Sequence, residues 1–111
     1  MIAKLASIQD IKPGIWYEYS LQTDRGFLSV MMQYENNQYY GYENFCPHQG
    51  RRMDYAAGKF LVADSGTIVC PAHGAEFNPK SGLCVNGPCL GESLKPVVIK
   101  SNEKDIFAVI E

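Results

Sequence analysis

Hydrophobic and polar positions along this chain alternate in short runs broken by turn residues, which predicts strands rather than helices. Trp16-Tyr17-Glu18-Tyr19 mixes aromatics with a polar residue directly after the turn Lys12-Pro13-Gly14. Phe27-Leu28-Ser29-Val30-Met31-Met32 predicts a strand that turns at Glu35-Asn36-Asn37 into Tyr39-Tyr40-Gly41-Tyr42. Lys59 to Val62 and Thr67 to Val69 flank Asp64-Ser65-Gly66, and Ala75 to Asn78 and Leu83 to Val85 flank Pro79-Lys80-Ser81-Gly82. Val97 to Lys100 and Ile106 to Ile110 close the chain as a hairpin around Asn102-Glu103-Lys104-Asp105. On this reading the segments around Cys46 and Cys70 both sit at hairpin tips. Long helical periodicity, repeats, linkers and low-complexity stretches are missing. The expected fold is all-β.

Composition narrows the picture. At 111 residues the chain is expected to be one domain, able to bury its own core. Its formal net charge of −2, with no Lys/Arg tract, argues against a nucleic-acid partner. No apolar run approaches membrane-spanning length, and Met1-Ile2-Ala3-Lys4 lacks the charged-then-apolar pattern of a secretion signal. A cytoplasmic monomer is the expectation. Tyr17, Tyr19, Tyr39, Tyr40 and Tyr42 read as strand packing rather than a radical relay, and Met31 and Met32 as core filler. No Gly-rich nucleotide-binding loop and no second metal motif is present, so catalysis in its own right is not expected.

The chemistry concentrates in Cys46-Pro47-His48 and Cys70-Pro71-Ala72-His73, which hold both of the chain's 2 histidines and 2 of its 4 cysteines. Each segment pairs a thiol with an imidazole on a short turn stiffened by proline, with glycine close behind at Gly50 and Gly74. Such a set points to a metal or metal cluster bound by Cys46, His48, Cys70 and His73. Tetrahedral zinc accepts two Cys and two His. Structural zinc sites, however, usually leave about two to four residues between paired cysteines and about three to five between paired histidines. Here cysteine alternates with histidine. That order suits a binuclear cluster in which both thiolates hold one iron and both imidazoles the other.

On these residues the chain resembles the Rieske family, whose 2Fe–2S centres carry two histidines in place of two cysteines on one iron. Cys46-Pro-His-Gln-Gly-Arg51 is similar to the first family loop and Cys70-Pro-Ala-His-Gly-Ala-Glu-Phe77 to the second. Asn86-Gly87-Pro88 is similar to the third, proline-bearing loop that covers the cluster. The resemblance spans about residues 40 to 100; the stretch from His48 to Cys70 is a few residues longer than the family pattern. It implies an antiparallel β-sandwich with a small cluster-binding subdomain at about 44–91, within a single domain spanning 1–111. It also implies one Rieske-type 2Fe–2S cluster and single-electron transfer from a flavin-dependent NAD(P)H reductase to an oxygenase. A small subunit of a larger reductase, such as assimilatory nitrite reductase, is the alternative, and a zinc or redox-sensing module a third.

The resemblance also sets expectations for neighbouring residues. High-potential relatives aim a serine and a tyrosine hydroxyl at the cluster, and the matching positions here are Ala75 and Phe77, which offer none. Losing two donors to a charged group lowers the potential by on the order of 100 mV. Relatives that tie their loops with a disulfide have cysteines where this chain has Arg51 and Ala72. Cys84 and Cys89 are left as thiols or as a local bridge, both readings open. Arg51 and Arg52 are read either as a solvated turn or as a basic rim that steers an acidic partner.

Overall fold

A computed structural model describes residues 1–47 and 50–110. The chain divides into two compact units, one formed by Met1–Glu43 with Pro96–Glu111 and the other by Asn44–Lys95. The sequence reading had put the second at about 44–91.

In the first unit, β1 (Ile2–Ser7), a single 3-10 turn (Ile8–Asp10) and β2 (Trp16–Thr23) lead into β3 (Gly26–Glu35) and β4 (Gln38–Glu43), and β10 (Val98–Ser101) and β11 (Asp105–Val109) complete it. They make two antiparallel sheets, ordered β1-β11-β10 and β2-β3-β4. β3 is the inner strand of its sheet. Its Ser29 to Gln33 are buried in an unbroken run instead of alternating, as befits a strand covered on both faces. Ser29 Oγ donates to Glu18 Oε2 at 2.6 Å and Gln33 Nε2 donates to the Gly14 carbonyl at 3.1 Å, so these buried polar side chains are satisfied. The turn at Asn36 and Asn37 has φ of 50° and 65°, the left-handed pair a tight hairpin requires. Gly41 lets β4 lie close to the β10 region, where the Val97 amide donates to the Gly41 carbonyl at 2.9 Å. A Cβ at Gly41 would meet Ile99 at 2.6 Å and the Val97 carbonyl at 2.8 Å. Val30, Val97 and Ala108 form a core cluster flanked by Leu5, Leu21, Leu28, Ile99 and Ile110. Met31 and Met32 are fully buried, as core filler should be.

The second unit carries one antiparallel sheet ordered β5-β6-β7-β8-β9, from β5 (Asp54–Ala56), β6 (Lys59–Val62), β7 (Ile68–Val69), β8 (Glu76–Phe77) and β9 (Cys84–Asn86). The strands are short. Met53, Ile68, Phe77 and Leu94 are its largest buried apolar side chains. No helix of the described residues is long and apolar enough to cross a membrane.

One expectation is corrected. The Cys70 segment does cap a hairpin, since β7 pairs with β8 through Ile68↔Phe77 and Val69↔Glu76. The Cys46 segment does not: it joins β4, which pairs with β3, to β5, which pairs with β6. Alternation along the chain shows that strands exist but not which strands pair.

Candidate metal centre

Two turns of different origin share one hydrogen-bond frame. In the first, the Cys46 amide donates to the Arg51 carbonyl at 2.6 Å and the Gly50 amide donates back to the Cys46 carbonyl at 2.8 Å. In the second, the Cys70 amide donates to the Ala75 carbonyl at 2.8 Å and the Gly74 amide to the Cys70 carbonyl at 2.9 Å. Gly50 and Gly74 close the two turns at φ of 65° and 75°, where a Cβ would be strained. The repeated frame turns both cysteines inward: Cys46 is 3% exposed and Cys70 1%.

The first turn has no strand ladder at its base and is closed by polar side chains instead. Arg52 forks onto Asp54, with Nε to Oδ1 at 2.8 Å and Nη2 to Oδ2 at 2.9 Å. The Gly58 amide donates to Asp54 Oδ2 at 3.2 Å, and Asn44 also hydrogen-bonds the carboxylate. Buried Asn44 meanwhile accepts the Met53 amide on its Oδ1 at 3.0 Å, joining the two ends of the turn. Burial pushes the Asp54 carboxyl up, but the bonds from Arg52, Asn44 and Gly58 outweigh it and hold it below the usual carboxylate value. Asn44 and Asp54 were not singled out from the sequence. The signal available was Arg-x-Asp beside a ligand segment, which is too common to identify a clamp. Arg52 is thus paired with Asp54, while Arg51 beside it is exposed.

The third loop packs on both turns. A Cβ at Gly87, whose φ is 94°, would stand 2.9 Å from the Cα of Ala75. Asn86 Nδ2 donates to Glu76 Oε2 at 3.0 Å, while Thr67 Oγ1 donates to Glu76 Oε1 at 2.6 Å. Cys89 Sγ lies 3.6 Å from Cys46 Sγ. Cys84 Sγ–H instead faces the Asn86 carbonyl at 3.3 Å, so Cys84 and Cys89 have separate partners rather than a bridge between them.

Of the four ligand candidates, the structure brings Cys46 and Cys70 within hydrogen-bonding reach of each other. Burial pushes the Cys70 thiol up, as does the neighbouring Cys46, while the amides of Ala72 and His73 donate to its sulfur and act the other way. His73 stands on the exposed side of its turn. His48 lies outside the described residues. Among the described residues no three His, Cys, Asp or Glu side chains converge as on a single ion. Two buried thiols beside a turn that carries an exposed imidazole fit a two-iron group that takes both cysteine and histidine ligands. Ala75 and Phe77 are buried and supply no hydroxyl.

The structure is similar to the ferredoxin of carbazole 1,9a-dioxygenase from Nocardioides aromaticivorans IC177, with a TM-score of 0.74 and 21% identity over 100% of this chain and 99% of that one. It is similar to a chain from the complex of reduced oxygenase and oxidized ferredoxin in carbazole 1,9a-dioxygenase, with a TM-score of 0.72 and 20% identity over 96% and 91% of the two chains. The terminal oxygenase of carbazole 1,9a-dioxygenase from Novosphingobium sp. KA1 aligns at a TM-score of 0.76 and 15% identity over 97% of this chain but 30% of its own. These likenesses establish the fold. No curated protein matches the sequence at a significant level. The family model described as Rieske [2Fe-2S] domain matches residues 3–103. With nearly its whole length matched, the chain belongs to the Rieske [2Fe-2S] domain family, whose cofactor is one 2Fe–2S cluster.

Proposed function

We propose that Cys46 and Cys70 hold one iron and His48 and His73 the other, and that the chain carries single electrons from a flavin-dependent NAD(P)H reductase to an oxygenase. When bound, the cluster supplies a one-electron store with no coordination position open to a substrate. The observation that carries the reading is the pair of matched turns, which bury two thiols side by side and leave His73 exposed. Buried cysteines exclude water from the sulfur end, while His73 offers an imidazole edge that a partner can approach. Backbone amides of Ala72 and His73 orient the Cys70 sulfur and offset its negative charge. The oxygenase partner is supported by the ferredoxin of a carbazole dioxygenase, which matches over 99% of its own chain. A monomeric cytoplasmic carrier completes the proposal.

Stopped-flow mixing tests it. Anaerobically reconstituted protein is reduced with NAD(P)H and a catalytic amount of flavin reductase, then mixed with an oxidised ring-hydroxylating oxygenase. The expected result is bleaching of the visible absorbance in the first step and its return in the second. Protein that holds its cluster but exchanges electrons with neither partner contradicts the carrier role. Persistent stoichiometric co-purification with a reductase such as a nitrite reductase would move the chain to the fixed-subunit alternative.

A further inference from the structure

Cys89 has no place in the ligand set, yet it is fully buried with its sulfur 3.6 Å from that of Cys46. The third loop holds it there. Its carbonyl accepts the Glu92 amide at 2.8 Å, the Leu90 amide donates to the Gly87 carbonyl at 3.3 Å, and Gly87 itself packs on Ala75. As the two thiols stand, either sulfur could donate the shared proton. Iron binding removes the ambiguity, because a cysteine must lose its proton to ligate a metal. Once Cys46 is a thiolate, the S–H of the pair belongs to Cys89.

We propose that Cys89 donates an S–H···S hydrogen bond to the Cys46 thiolate and so raises the reduction potential of the centre. The proposal rests on Cys46 being a ligand, as assigned above. Cys89 acts through Cys46 and is a positioning residue. Reduction adds negative charge that the ligand sulfurs share, so a donor aimed at one of them stabilises the reduced form more than the oxidised form. A thiol is a weaker donor than a hydroxyl, but burial strengthens whatever bond it makes. Cys70 takes backbone amides from its own turn, and the third loop brings a side chain against Cys46. With no hydroxyl at Ala75 or Phe77, Cys89 partly fills their function.

The plain alternative is a small apolar filler. Cys89→Ala and Cys89→Ser separate the two, since alanine and serine differ by one hydroxyl at nearly equal volume. Redox titration of the holoprotein should show the equilibrium constant for reduction falling about tenfold in Cys89→Ala, or about 59 mV. Cys89→Ser should stay clearly above Cys89→Ala. Equal potentials in the two variants overturn the proposal. Should neither variant assemble a cluster, the reduced-minus-oxidised infrared spectrum of the wild type decides it. A thiol stretching band should move to lower frequency on reduction and persist in Cys84→Ser, whereas an unchanged thiol region overturns the hydrogen bond. A wild type that binds no iron would defeat the ligand assignment itself, a separate result visible before any titration.

Discussion

Asp54 has a carboxylate nearly sealed from water, and its donors come from Arg52, Asn44 and the Gly58 amide. These bonds tie the base of the first ligand turn where no strand ladder does. Its folded-state value lies below the ordinary 3.8. The stability it contributes is therefore complete above that pH and is lost as pH falls through the lowered folded value. Asp54→Asn should cost about 1–2 kcal/mol at neutral pH, toward the modest end because Arg52 is half-exposed and screened. Urea titrations of both proteins across the acid range check this. The gap between them should narrow below the ordinary carboxylate value, and a gap that stays constant down to the acid limit contradicts the account. The proposed ligands could be named from the sequence because Cys and His are scarce and their spacing is restrictive. The clamp was not, since Asn, Asp and Arg beside a loop have too many ordinary uses.

Among the elements, the hairpins declared themselves through turn residues: Asn36-Asn37, Ser65-Gly66 and Ser81-Gly82 each fall where strands reverse. β1 and β5 gave no such notice. β1 is paired by its partner β11, from Ile2↔Val109 to Ser7↔Asp105, and β5 has only three residues. The third loop was legible as a motif, but its contacts with the two turns emerge only in three dimensions. Gly87 carries that packing, and Gly66 offers a matched control: both have positive φ, but a Cβ at Gly66 meets nothing within 4 Å. Both alanine variants incur backbone strain. Gly87→Ala must in addition displace the Ala75 backbone, a cost of about 1–3 kcal/mol more. Thermal bleaching of the visible absorbance should occur at a clearly lower temperature in Gly87→Ala than in Gly66→Ala. Coincident curves would mean that the third loop does not rest on the second turn.

For the molecule as a whole, the proposed electron carrier is expected to be a low-potential one. Ala75 and Phe77 are buried and, at the positions where the family resemblance expects hydroxyl donors, offer none, and the thiol proposed for Cys89 is a weaker substitute. Redox titration should place the potential near the low end of the Rieske range of roughly −150 to +300 mV; a value well above zero contradicts this step. The most direct test of the central claim is pulsed electron paramagnetic resonance of the dithionite-reduced, anaerobically prepared protein. The account predicts a rhombic signal carrying hyperfine couplings from two ligating imidazole nitrogens, which His73→Ala should abolish or reduce to one. A signal without nitrogen coupling, or a colourless protein that takes up no iron on reconstitution, would contradict it.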